Sequence, residues 1–277
     1  MSRRRLAALI GSPVEHSLSP VIHQAAFEAT GVEWVYLAFD VADGQAAAAL
    51  DAMRVLGIAG MSVTMPHKRA VADQVDRLEP AARALRSVNT VSWDGDELVG
   101  SSTDGAGFVA SLAEVGIDVA DSRVAVIGAG GAARSVIDAL GRAGASDITV
   151  LNRTREHAEL AATLASAASV GIPSDVSRAD IVVNATKVGM GVDPADAGAD
   201  DLACDPNLLR ADQVVADHVY HPLRTAWLRA ADDLGARTVD GLGMLIHQAA
   251  LQQETWLGER PDTAAMRVAA EAALTDR

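Results

Sequence analysis

The chain has 277 residues, 49% hydrophobic and 22% charged, with a formal charge of −14, which is long for one core and suits a folded protein of two lobes. The acidity argues against a nucleic-acid partner, which requires a basic face. The single cysteine, Cys204, excludes an intrachain disulfide framework and any multi-cysteine zinc site.

The chain opens on a basic start followed by Leu6 to Ile10, an apolar segment too short for the core of a signal peptide, and it reads as a first strand. With no run near the ~18 apolar residues of a membrane helix, the expectation is a cytoplasmic enzyme. The strand leads into GSPVEHSLSP, where Ser19 and Pro20 predict a helix start, Ser19 as N-cap and Pro20 at N1, with Gly31 as the stop. Trp34 to Val41 reads as a strand, Gln45 to Leu56 as a helix stopped by Gly57, and Ile58 to Val63 as a strand leading into Thr64-Met65-Pro66-His67-Lys68. A helix over about Arg69 to Leu85 comes next, then a hairpin in which Asp94-Gly95 predicts a type I′ turn. Asp104 to Val115 reads as a helix capped by Asp104 and closed by Gly116, bridging to the second lobe.

From Arg123 the alternation of strand and helix is regular. Val124 to Ile127 is a continuously apolar strand, as in a parallel sheet buried on both faces. Gly128, Gly130 and Ala133 then fit G-x-G-x-x-G/A, and a helix from about Ala132 to Arg142 presents its N-terminal amides to a pyrophosphate. The strand Ile148 to Leu151 ends in Asn152, Arg153 and Thr154. An NAD-binding fold carries an acid near there for the ribose 2′-hydroxyl. Asparagine followed by arginine instead suits the 2′-phosphate of NADP, and Thr154 reads as the cap of a helix Arg155 to Ala165. The strands Ile181 to Asn184, Val214 to Asp217 and Arg237 to Val239 follow, with a helix from Pro222 to Asp233 among them. Asp193 to Asp205 reads as a mobile loop, and long helices cover Asp240 to Leu257 and Thr263 to Leu274. Two α/β lobes result, and the last helices, which precede no strand, are expected to return to the first.

A nicotinamide enzyme also needs a substrate site and a proton donor or acceptor. Ser17, Ser19, Thr64, Lys68, Asn89 and Asp104 gather in loops and at strand ends of the first lobe. Lys68 with Asp104 forms a candidate pair for proton transfer and hydroxyl orientation. On residue type alone Lys68 reads first as a solvated lysine, Asp104 first as a helix cap that could also serve chemistry, and Ser19 as a cap. Histidines 16, 23, 67, 221 and 247 read as structural or solvated and not as metal ligands.

GSPVEHSLSPVIH, SVTMPHK, SVNTV, STDG, GAGGAAR, NRT, NAT..GM, YHPLRT and DGLGMLIHQAA occur in this order from Gly11 to Gln248. Together they resemble the shikimate dehydrogenase family. The resemblance implies a substrate-binding domain over 1–104, an NADP-binding Rossmann domain over 105–239 and C-terminal helices over 240–277 that rejoin the first. It implies that Ser17, Ser19 and Tyr220 hold a substrate carboxylate, that Thr64, Asn89 and Gln248 bond ring hydroxyls, and that Lys68 and Asp104 are catalytic. It further implies that Gly128, Ala129, Gly130, Gly131 and Ala132 form the pyrophosphate loop. Asn152, Arg153 and Thr154 would hold the adenosine phosphate, and Thr186, His218 and Gly241 complete the cofactor set, the last two lining the nicotinamide pocket. The activity implied is NADP-dependent interconversion of 3-dehydroshikimate and shikimate in aromatic amino-acid biosynthesis. The partners would be small molecules only, and the chain a monomer or homodimer. A quinate or aminoshikimate dehydrogenase and a non-catalytic, cofactor-sensing paralogue are the alternatives. The chain departs from the family's pattern at Ser62 and Ser102, which replace asparagines, at His157, at Lys187, and at His218, where an apolar residue is usual.

Overall fold

The computed structural model describes residues 4–275; residues 1–3 and the last two lie outside it. In chain order the first half holds β1 (Arg5–Gly11), α1 (Ser19–Thr30), β2 (Trp34–Asp40), α2 (Ala46–Leu56), β3 (Gly60–Val63), α3 (Lys68–Ala72), β4 (Arg77–Leu78), α4 (Pro80–Leu85), β5 (Thr90–Asp94), β6 (Glu97–Ser101) and α5 (Asp104–Glu114). The second half holds β7 (Arg123–Ile127), α6 (Gly131–Arg142), β8 (Asp147–Leu151), α7 (Arg155–Ala162), β9 (Ala168–Val170), β10 (Ile181–Asn184), β11 (Val214–Asp217), α8 (Ala226–Asp233), β12 (Arg237–Val239), α9 (Leu242–Leu257) and α10 (Thr263–Thr275). The chain divides into two compact units, Met1–Thr103 with Ile246–Arg277, and Asp104–Leu245.

The first unit is built on a six-stranded sheet of order β2-β1-β3-β5-β6-β4. Side chains alternate across a strand, so β1 feeds two cores. Ala8 and Ile10 pack with Met53, Met61 and Leu98, while Ala7 and Leu9 pack on the other face with Phe27, Trp34 and Tyr36. Fully burying a side chain of that size contributes about 1.5–3 kcal/mol, so this two-sided pattern holds the register of the sheet. Helix α10 lies against α1, bringing the C-terminal helices back to this unit as expected.

The second unit carries a wholly parallel sheet of order β12-β11-β10-β7-β8-β9. Val124 and Val126 of β7 enter one core with Ile181 and Val183 of β10, and Ala125 enters the opposite core with Val182 and Trp227. The strand order reverses between β7 and β10, the place where doubly wound sheets take their ligands.

Several local expectations need correction. Helix α1 begins at Ser19 with Leu18 as its cap residue and no side-chain cap on that residue. The Ser17 hydroxyl instead accepts from the Ser19 amide at 3.2 Å. The long helix expected over Arg69 to Leu85 is two short helices separated by β4, because β4 pairs with β6 and the Asp76 carboxylate accepts from the Leu98 amide at 2.6 Å. The hairpin turns on Gly95-Asp96, with Asp94 paired to Glu97. Only Gly95 has positive φ, the pattern of a type II′ turn and not of type I′. Helix α8 starts at Ala226, not Pro222, capped by the Thr225 hydroxyl, which accepts from the Leu228 amide. Thr154 stands at the N-cap of α7 without a capping side-chain bond, and that helix stops at Ala162, short of Ala165. The strand β9 and a 3-10 turn over Pro173–Arg178 fill a stretch in which no element was expected.

Candidate active site and dinucleotide site

In the first unit, the loops after β1 and β3 are laced together. The Thr64 amide donates to the Ile10 carbonyl at 2.9 Å and the Ser12 amide to the Met65 carbonyl at 2.9 Å. A Cβ on Gly11 would lie 2.2 Å from Thr64 Cγ2, so only glycine lets these two loops meet. The buried ring of His67 bonds the Val41 carbonyl through Nε2 at 2.7 Å. That bond anchors the Thr64–Lys68 loop, and the Lys68 carbonyl accepts from the Val88 amide at 2.9 Å. Lys68 is thereby fixed at the first turn of α3, half-buried.

Asn89 is the hub of this unit. Its Nδ2 donates to Thr103 Oγ1 at 2.9 Å and lies 3.4 Å from Gln248 Oε1. Its Oδ1 accepts from the Thr103 amide at 2.9 Å and from Thr90 Oγ1 at 2.7 Å. A second chain of bonds lies next to it. Tyr36 donates to Ser62 Oγ at 2.7 Å, Ser62 donates to Gln252 Oε1 at 2.8 Å, and Gln252 Nε2 donates to the Asn89 carbonyl at 3.1 Å. Ser62 thus supports the site with a hydroxyl. His23 stacks on Tyr36 at 4.2 Å and lies 3.1 Å from Gln252 through Nε2, and burial pushes its pKa down to about 3. Ser17, Ser19, Thr64, Lys68, Asn89 and Gln248 all belong to this unit. Of the residues that sequence reasoning missed, Tyr36, Gln252 and Gln253, only Gln252 has a signal: it stands i, i+4 from Gln248, on the same face of α9.

Asp104 and Tyr220 belong to the second unit, together with every expected cofactor residue. Asp104 opens α5, and a Cβ on the following Gly105 would lie 2.0 Å from the Ser135 carbonyl oxygen, so α5 and α6 cross at backbone contact. Gly128 takes φ +119, where a Cβ would press on Thr186 and Ala185. Gly130 caps α6 with no side chain, and a Cβ on Gly130 or Gly131 would meet open space. Gly130, Gly131 and Ala132 are exposed, and the first-turn amides of α6 have no intrahelical acceptor, the arrangement that receives a phosphate. Asn152 is exposed and donates to the Thr154 carbonyl at 2.8 Å. Arg153 is exposed with no ion pair among the described residues, whereas Arg155, a candidate second phosphate cation, is engaged by Glu159 at 2.9 Å.

Thr186 is held by Asn184 Oδ1, which accepts from its hydroxyl at 2.6 Å and its amide at 3.0 Å. Asn184 donates in turn to Asp217 Oδ1 at 2.9 Å. Asp217 also accepts from the Val219 amide and the Thr225 hydroxyl, and burial lifts its carboxyl to about 6. Beside it, His218 packs on Phe108 at 5.1 Å with both ring nitrogens buried and without a hydrogen-bond partner. A Cβ on Gly241 would lie 2.3 Å from the His218 carbonyl oxygen. Lys187 is exposed, as a solvated loop lysine would be. Burial raises the Cys204 thiol to about 11, leaving it no nucleophilic role. The open glycine turn, the orphaned imidazole and the absence of an acid after β8 fit a nicotinamide dinucleotide carrying a 2′-phosphate. Among the described residues no cluster of ligands could hold a metal ion, and no helix is long and apolar enough to cross a membrane.

Three family descriptions match in chain order: the shikimate dehydrogenase substrate-binding domain over residues 9–91, the shikimate/quinate 5-dehydrogenase domain over 111–192 and the shikimate 5′-dehydrogenase C-terminal domain over 241–271. A shikimate dehydrogenase (NADP(+)) of Symbiobacterium thermophilum is 44% identical over 98% of this chain and 95% of its own length. The structure is similar, with a TM-score of 0.89 and 34% identity, to the shikimate 5-dehydrogenase of Thermus thermophilus in complex with NADP(H) and shikimate, covering 97% of this chain and 99% of that one. It is also similar, with a TM-score of 0.87 and 33% identity, to the quinate dehydrogenase of Corynebacterium glutamicum in complex with NAD, with coverage of 97% and 99%. On this full-length likeness, the chain belongs to the shikimate dehydrogenase family.

Proposed function

We propose that this chain is an NADP-dependent oxidoreductase that interconverts 3-dehydroshikimate and shikimate. The observation that carries the reading is the meeting of Asn89 and Gln248, 159 residues apart in sequence, in the unit that also fixes Thr64 and Lys68. When bound, the cofactor supplies or accepts the hydride at the ring carbon of the substrate. Ser17, Ser19 and Tyr220 hold the substrate carboxylate, and Thr64, Asn89 and Gln248 hold ring hydroxyls. Lys68 gives a proton to the carbonyl oxygen in reduction or takes it from the hydroxyl in oxidation, and Asp104 orients that hydroxyl. Gly128 to Ala132 receive the pyrophosphate, Asn152, Arg153 and Thr154 the adenosine 2′-phosphate, and Thr186, His218 and Gly241 the nicotinamide half.

We place the reaction in the cytoplasm, acting on a small molecule with neither nucleic acid nor membrane as partner, in a monomer or homodimer. The likeness to a quinate dehydrogenase with NAD gives the competing reading, since one hydroxyl in the pocket separates the two substrates. Steady-state kinetics with shikimate and quinate, each with NADP and NAD, test both. The proposal expects the highest kcat/KM for shikimate with NADP. A higher value for quinate, or for NAD, overturns it, and no turnover with any pair favours a cofactor-sensing role.

A further inference from the structure

Resting on the reading that the second unit binds NADP, we propose that the imidazole of His218 is the hydrogen-bonding partner of the cofactor's nicotinamide carboxamide. The sheet places it there. The pyrophosphate turn follows β7, and the residues suited to the adenosine phosphate follow β8, on one side of that strand. The dinucleotide must therefore extend the other way, past the end of β10, which pairs with β7, and of β11, which pairs with β10. His218 is the first residue after β11, two strand spacings or about 10 Å from the glycine turn.

The side chain at that position is an anomaly until a ligand is supplied. Neither ring nitrogen has a hydrogen-bond partner, although both are buried. A buried polar atom without a partner is destabilising, so such a pair calls for an explanation. The ring is packed on Phe108, while the residue keeps some exposed surface. A half-turn of the ring breaks no hydrogen bond and exchanges the nitrogens with the ring carbons. The backbone is held just as closely: Gly241 leaves no space for a side chain over the His218 carbonyl, and its amide donates to the Val219 carbonyl at 3.2 Å.

The chemistry fits the carboxamide. Burial holds the imidazole neutral, down to about 4, against the opposite pull of Asp104. A neutral imidazole has one N–H donor and one lone pair, and here the lone pair accepts from the carboxamide N–H. A cationic side chain would instead repel the positive ring of the oxidised cofactor, and an apolar side chain would offer no hydrogen bond at all.

The experiment is calorimetric titration of wild type, His218→Leu, His218→Met and His218→Gln with three probes. These are NADP, its 3-acetylpyridine analogue, in which a methyl ketone removes the amide N–H, and 2′,5′-ADP, which has no nicotinamide. Wild type should bind NADP about tenfold more tightly than the analogue, the ~1.4 kcal/mol of one good hydrogen bond. Either apolar variant should weaken NADP by about tenfold or more and abolish the gap between the two dinucleotides, while glutamine restores part of both. All folded variants should bind 2′,5′-ADP within about twofold of wild type. A wild type without the gap overturns the inference, as does an apolar variant that keeps it. So does a glutamine variant no better than the apolar ones. Failure of wild type to bind 2′,5′-ADP would instead sink the cofactor reading beneath it.

Discussion

The two units hold their functional polar groups in opposite ways. In the first, Asn89, Gln252, Ser62 and Thr103 spend their hydrogen bonds on one another, so the site is built before any ligand arrives. In the second, the first-turn amides of α6 open onto space, Arg153 is exposed and the nitrogens of His218 have no hydrogen-bond partner. A substrate with several hydroxyls gains from a rigid array, since orienting it is most of the task. A long, flexible dinucleotide carries its own acceptors, and a surface of bare donors awaits them. On the proposed assignment, preorganisation is concentrated where the substrate would be oriented, and open donors where the cofactor would bind.

The largest expected effect concerns the polar core of the first unit. Burial holds His23 neutral in the folded protein, with a pKa of about 3 against 6.5 for an unperturbed histidine. A group with a depressed folded pKa contributes stability above the unfolded value and loses it as pH falls toward the folded one. His23→Gln should therefore be less stable than wild type near pH 7, and its deficit should shrink by roughly 3 kcal/mol by about pH 4. Urea unfolding at the two pH values measures this, and a deficit that does not change with pH would remove His23 from the prebuilt network.

Next comes the chemistry. Lys68→Ala should lower kcat by about two or more orders of magnitude. Lys68 lies outside the unit proposed to take the cofactor, so NADP affinity should barely change. Retention of more than about a tenth of wild-type kcat would end the assignment of Lys68 as the proton-transfer group.

The smallest effect tests the open half. Wild type should prefer NADP to NAD by at least about tenfold in kcat/KM, or ~1.4 kcal/mol. Arg153→Ala should erase most of that preference and spare activity with NAD. Because Glu159 already engages Arg155, that neighbour should not rescue it. A preference surviving in Arg153→Ala would show that the 2′-phosphate is read elsewhere.

Much of this was legible in the sequence where the code is local. β7 reads as a strand buried on both faces, and its glycine turn follows from residue type alone. What escaped was set at long range. β4 exists because β6 offers it an edge, and the stretch before β10 gains β9 from β8; neither partner is visible in a short window. Type I′ was expected from Asp94-Gly95, but the strand register moved the turn by one residue. In the site, motif residues could be named one by one. That Asn89 would be held by Thr103 and Thr90 and lie beside Gln248 depends in part on a helix more than a hundred residues away in the chain. Lys68 and Asp104 could be singled out as candidates, yet their residue types alone favour a surface lysine and a helix cap.

Amide hydrogen exchange with each ligand separately puts the contrast between the units to the test most directly. The amides of Val63, Asn89 and Thr103, already bonded within the first unit, should exchange slowly in the free protein and change little with shikimate. Those of Gly131 and Ala132, both exposed, should exchange quickly in the free protein and become protected on adding NADP. The contrast would be contradicted if Asn89 and Thr103 exchanged fast until shikimate bound, or if the α6 amides were equally protected with and without NADP.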